Sequence, residues 1–177
     1  MKTYEKLYRH FVTITSHKLM VTKLCFKLHL YKQGILHDLS KYSWVEFSAG
    51  VKYYQGHRSP IDAEKAAKGY SLGWLHHKGR NKHHWEYWTD KNRDGIYCHK
   101  IPYNYVLEMC CDRVAACKIY QKQAYTQASA YEYFINGTDR LYMHPQSAKL
   151  LETILFMIKE KGEDQTFSYL VNNKLDY

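Results

Sequence analysis

Apolar residues recur every three or four positions along most of this chain, the repeat of an amphipathic helix. Leu7, Phe11 and Ile14, then Met20, Leu24 and Leu28, predict a long helical region from residue 3 to about 31, with room for a break near Thr13–Ser16. Gly34 ends or bends it, and a short helix is expected to carry His37–Asp38. Ser40 or Ser43 is placed to cap the next helix, Trp44 to about Tyr54, with Glu46 three residues after Ser43 at capping-box spacing. Gly56 to Pro60 reads as a loop, and Asp62 as the cap of a helical stretch through Ala67. Residues 72–88 hold four clustered histidines interrupted by Gly79. Asp90–Gly95, flanked by Trp85–Trp88 and Ile96–His99, reads as the turn of a small hairpin. Pro102 opens a helix to about Ala124. A further helix spans 126–136, ending at Asn136–Gly137, and the last clear one runs from Pro145 to Lys161–Gly162 on a stripe of Leu150, Leu151, Ile154, Leu155 and Ile158. With no repeat, linker or low-complexity tract, the expectation is one all-α bundle over 1–177 with at most a minor β-hairpin.

Composition narrows the class. At 45% apolar the chain can bury a sizeable core, and eighteen tyrosines with four tryptophans favour tight packing and stacking surfaces. A net charge of +9 attracts anions such as nucleotides, phosphate esters or nucleic acid, although scattered lysines serve equally as ordinary solvating charge. Five cysteines without a Cys-x-x-Cys pair argue against a disulfide framework and a zinc ribbon. The opening residues precede no apolar stretch of signal-peptide type, and no 18-residue apolar run occurs, so no membrane span is expected and the cytoplasm is the default location.

Candidate chemistry centres on Gly34-Ile-Leu-His-Asp-Leu-Ser-Lys41. An adjacent imidazole and carboxylate in an apolar setting are costly to bury unless compensated, and a divalent cation would compensate both. The plain alternative is that Asp38 caps a helix and His37 is incidental. His17 alone is an ordinary helical histidine. Asp112, however, lies among mostly apolar residues on the face of Tyr105, Glu108, Met109 and Ala116, and needs a partner: Arg113, another cation or a metal. His76, His77, His83 and His84 fall within nine residues; either they share helix faces, if the helix passes Gly79, or they form a basic surface loop. Glu108 is placed to brace a ligand.

The order His17, His37-Asp38, the two doublets, then Asp112 resembles the HD-domain superfamily of metal-dependent phosphohydrolases. Ser-His-Lys, His-Asp-Leu-Ser-Lys-Tyr-Ser-x-x-Glu-Phe, Asn-x-His-His-Trp-x-x-Trp and Glu-Met-x-x-Asp are similar to a small, largely uncharacterised HD-like family of bacteria and their viruses, over residues 14–118. The resemblance implies an HD-like helical domain in which His17, His37, Asp38 and Asp112 form a primary metal site. Asp38 would bridge to a second ion held by one histidine of each doublet, the doublets leaving open which. Lys41 would face a phosphate or bound water, and Lys41, Lys78, Arg80 and Lys82 would neutralise phosphate oxygens. Asn81 would orient substrate or a ligand histidine. The donor set suits manganese, iron, nickel, cobalt or zinc, one or two ions per chain. The implied activity is hydrolysis of a nucleotide or other small phosphate ester. A di-iron oxygenase on the same scaffold and a non-enzymatic, metal-stabilised nucleic-acid-binding module are the alternatives.

Overall fold

The computed structural model describes residues 1–177 and is all-α apart from one hairpin. Helix α1 (Thr3–Lys27) runs unbroken through Thr13–Ser16, and the Thr13 and Thr22 hydroxyls donate to the carbonyls of Arg9 and Lys18 one turn back. The chain then turns at His29, with positive φ, into α2 (Tyr31–Leu36). Gly34 sits inside α2 rather than ending a helix: a Cβ there would lie 3.0 Å from the Cys25 Cβ, so glycine lets α2 lie flat on α1.

His37 and Asp38 are not helical, contrary to the expectation. His37 closes α2 in an extended conformation, and Asp38 is left-handed at φ 54° before the short 3-10 turn Leu39–Tyr42. A non-glycine residue held there carries backbone strain on the order of 1 kcal/mol, and such residues cluster at functional sites. Ser43 caps α3 (Trp44–Tyr53), accepting from the Glu46 N–H. Ser59, not Asp62, caps α4 (Pro60–Lys68), with Pro60 in its first turn, and left-handed Gly69 ends it. Helix α5 (Leu72–Lys78) stops at Gly79, so the two histidine doublets do not share one helix. A 3-10 turn (Trp85–Trp88) leads into strands β1 (Thr89–Asn92) and β2 (Gly95–Cys98), antiparallel in the register Thr89↔Cys98 to Asn92↔Gly95.

Helix α6 (Tyr103–Gln121) is buried on nearly every side. It packs on α1, on α7 (Ser129–Asn136) and on α9 (Pro145–Lys161), whose Leu150, Leu151, Ile154, Leu155 and Ile158 all point inward. Two elements escape the sequence pattern: α8 (Asp139–Tyr142), a single turn, and α10 (Glu163–Asn172). Helix α10 is anchored by Glu163, which takes the Lys118 ammonium at 2.6 Å and the Tyr125 hydroxyl at 2.8 Å. A continuous apolar core therefore fills the space between α1, α6, α7, α9 and α10. No helix is long and apolar enough to cross a membrane.

Candidate metal centre

On the other side of α1 and α6 the interior is polar. Helix α1 carries His17 on its buried face, and α6 carries Glu108 and Asp112 one turn apart on the face that meets it. The α2–α3 connection delivers His37 and Asp38, α5 delivers His77, and the following turn delivers His83 and His84. His17, His37, Asp38, His77 and His83 are each at most 6% exposed.

Asp38 stands at the centre of two donor sets. Its Oδ2 lies 3.3 Å from His37 Nε2 and 3.7 Å from His17 Nε2, and Asp112 Oδ1 completes that group at 2.9 Å from His17 Nε2 and 3.6 Å from His37 Nε2. Its Oδ1 lies 3.2 Å from His77 Nε2 and 3.4 Å from His83 Nε2, with His84 Nε2 2.9 Å from His77 Nε2. An ion about 2.1 Å from each ligand would hold neighbouring donors roughly 3.0–3.4 Å apart. Four of these atoms, both Asp38 oxygens and the Nε2 atoms of His37 and His83, are buried without a hydrogen-bond partner. The Lys41 ammonium, 2.5 Å from Asp38 Oδ2, offsets part of its charge. Orphaned buried acceptors converging on one point are what a cation would satisfy.

The outer ring fixes the tautomers. Glu108 Oε1 accepts from Nδ1 of both His37 and His83, at 2.9 and 3.1 Å. Glu46 Oε2 accepts from His77 Nδ1 at 2.7 Å, while its Oε1 takes His76 Nδ1 at 2.6 Å. With Nδ1–H committed outward, the Nε2 atoms of His37, His77 and His83 face inward, where each would offer its lone pair to an ion that displaced its proton, the carboxylate–histidine–metal arrangement. Burial disfavours charge at His37, but Asp38, Asp112 and Glu108 around it outweigh that and hold its pKa well above the ordinary value; His77 is raised in the same way by Asp38 and Glu46. Burial also opposes ionisation of Asp38 and Asp112, yet His37 and Lys41 hold the first carboxyl, and His17 and His37 the second, well below the usual range. Burial, then Lys41, lowers His17, and burial, then the charges of His83 and His77, push His84 well down.

The residues expected from sequence divide accordingly. His17, His37, Asp38, His77, His83, His84 and Asp112 come together. His76 does not: it lies one residue round the helix from His77 and turns onto Glu46. Asp112 takes His17 rather than Arg113, which pairs instead with Asp139 at 2.6 Å. Asn81 braces the centre rather than facing a ligand, donating to Ser40 Oγ and the His77 carbonyl. Beside the centre opens a cleft of about 520 Å³, walled by Trp74, Trp85, Tyr120 and Tyr133, whose cations are Lys41, Arg58, Lys65 and Arg113. Lys78, Arg80 and Lys82 do not line it: Lys78 is the last residue of α5, Arg80 bonds the His76 carbonyl, and Lys82 lies over the rings of Tyr87 and Tyr105. Glu46 was legible only as part of the capping pattern, because its backbone N–H donates to the Ser43 cap while its side chain serves the histidines. Arg58, Lys65 and Arg113 carry no local signal, since only folding brings them beside the centre.

Residues 6–157 match a family of unknown function (DUF5662). The chain belongs to that family. The match takes in every residue of the centre and the whole cleft and stops within α9. No curated protein and no solved structure matches the chain.

Proposed function

We propose that the chain is a metal-dependent phosphohydrolase of HD-domain type, acting on a nucleotide or another small phosphate ester. The observation that carries this reading is Asp38, whose two oxygens face two separate histidine sets beside a cleft lined by both cations and carboxylates. His17, His37, Asp38 and Asp112 would hold one ion, and His77, His83, His84 and Asp38 a second; manganese, iron, nickel, cobalt and zinc all accept such donors. A divalent ion there supplies a water with its pKa lowered toward ~7 and polarises a phosphoryl oxygen.

The chain's own residues do the rest. Glu46 and Glu108 orient the histidines, so little reorganisation accompanies loading. Lys41 places a cation beside the reacting centre, its pKa raised because Asp38 and Asp112 outweigh the cost of burial. Arg58 and Lys65 bind anionic oxygens along the cleft, Arg113 being held by Asp139, and the aromatic walls exclude water and take a flat ring. The cleft volume suits a small ligand.

The test is metal-replete protein assayed against generic phosphoesters and a nucleotide panel, with metal content measured alongside. The expected outcome is turnover that chelator removes, about two ions per chain, and loss of both metal and turnover in Asp38→Ala. Oxygen consumption with a visible iron-oxo band would replace this reading with the di-iron oxygenase. Salt-dependent nucleic-acid binding without turnover under any metal would replace it with the binding module.

A further inference from the structure

Beside Lys41 the cleft adjoins a smaller chamber of about 80 Å³, walled by α1, α3, α4 and α5. Thr13, Ile14, Lys41, Ser59, Ile61 and Tyr120 line both spaces. Lys41 stands at the junction, with its ammonium at Asp38 of the candidate centre. At roughly 15 Å³ per water the chamber has room for about five, the bulk of one small sugar ring. Two glycines keep it open. A Cβ on Gly50 would collide with His10 Nε2, and one on Gly73 would stand 3.6 Å from Ala49 and 3.7 Å from Glu64, which line the same space.

The chamber is polar but holds no spare charge. Both oxygens of Glu46 are taken by His76 and His77, and those of Glu64 by Lys68 at 3.0 Å and Ser71 at 2.6 Å. The Lys41 ammonium is turned to Asp38. His10 is only 6% exposed, and burial, then Lys41, lowers its pKa to about 4, so it is neutral near pH 7. Its Nδ1 has no hydrogen-bond partner, and its Nε2 lies against the bare Cα of Gly50. A neutral imidazole carries one N–H and one lone pair, and buried it needs a partner for each. The Ser59 hydroxyl accepts the Ile61 N–H and keeps its own proton to donate. Hydroxyl groups, uncharged and both donor and acceptor, satisfy such a lining. A second phosphate would meet Glu46 and Glu64, and an apolar group would leave His10 unmet. His10 also lies seven residues before His17 on the buried face of α1, about 10 Å along the axis. An ester held by its phosphate at the centre can therefore set the first sugar of its alcohol half against His10.

Building on the phosphohydrolase reading, we propose that this chamber seats the alcohol half of the substrate, a sugar or similar polyol whose hydroxyls meet His10 and Ser59. The substrates are then sugar phosphates rather than aryl or simple alkyl phosphates. The probes are ribose 5-phosphate and phenyl phosphate on metal-loaded protein, with turnover and calorimetric Kd measured for each. His10→Phe keeps a ring against Phe47 and Tyr54 but removes the hydrogen bonds. KM and Kd for ribose 5-phosphate should rise about ten-fold, with its kcat and every constant for phenyl phosphate unchanged. If His10→Phe fails to fold, Gly73→Ala carries the test, because its methyl narrows the chamber at ordinary contact distances, and the same split is expected. Should neither ester turn over, the hydrolase reading falls, while the dissociation constants still decide the chamber. No binding of ribose 5-phosphate by wild type, unchanged binding in both variants, or equal loss for both esters overturns the proposal and leaves the chamber to water.

Discussion

The interior of this protein is built in two ways on the two sides of α1 and α6. Toward α9 the contact is mostly apolar: Val21, Leu24, Val114, Leu151, Ile154 and Ile158 are fully or almost fully buried, with few polar groups such as Ser147 and Glu163 among them. Toward α5 the same two helices present His17, Glu108 and Asp112 to a group of buried histidines and carboxylates, several of whose atoms have no partner. Apolar burial is non-directional and stabilises through area alone, whereas buried polar atoms stabilise only when every one of them is met. One side therefore carries stability and the other holds the candidate centre, and substitutions on the two sides should separate stability from metal.

The largest expected effect is on stability. Leu151→Ala, at a fully buried site of the apolar side, should cost about 2–5 kcal/mol in chemical denaturation and leave metal content per folded chain unchanged. Asp38→Ala should do the reverse, with metal lost and the apo fold retained, because the repulsion between Asp38 and Asp112 goes with it. Calorimetry with and without chelator distinguishes them: chelator should destabilise wild type and Leu151→Ala but not Asp38→Ala. Equal chelator effects on all three would show that the two sides are not divided as described.

Next in size is Glu108→Gln. Glu108 touches no ion in the proposed centre but sets the tautomers of His37 and His83. Metal affinity should fall roughly 10–100-fold, with apo stability changed far less. Competition titration against a chromophoric chelator measures this, and an unchanged affinity would reduce Glu108 to a structural hydrogen bond.

The smallest effect sharpens the boundary between the sides. His10, one helical repeat before His17, is packed against Phe47 and Tyr54, and burial followed by the Lys41 charge lowers its pKa from 6.5 to about 4. A base depressed in the folded state is bound to fewer protons than in the unfolded chain. Its contribution is full above pH 6.5 and is lost as pH falls toward 4, by at most about 2 kcal/mol after allowance for screening. In His10→Gln the melting temperature should fall less steeply over that interval than in wild type. Parallel curves would mean that other groups govern the acid limb.

Much of this was legible in residue order because it depends on neighbours in sequence. The apolar stripe from Leu150 to Ile158 names its own buried face, and Pro145 and Gly162 bound α9 where their backbone chemistry requires. The His/Asp inventory of the centre is likewise a matter of residue type, and seven of its eight expected donors converge. What residue order left open has a common physical cause, the competition among partners that only folding supplies. Whether His76 or His77 faces the centre is decided by one step round α5 and by Glu46 lying between them. The left-handed turn at Asp38 is unfavourable locally, and the surrounding packing holds it. The cations of the cleft come from Lys41, Arg58, Lys65 and Arg113, far apart in the chain, while Lys78, Arg80 and Lys82, adjacent to the histidines, do not line it. Helix periodicity and ligand chemistry were properties of the sequence alone; the choice of donor, its tautomer and the charge of the cleft belonged to tertiary structure, because each depends on atoms that meet only once the chain is packed.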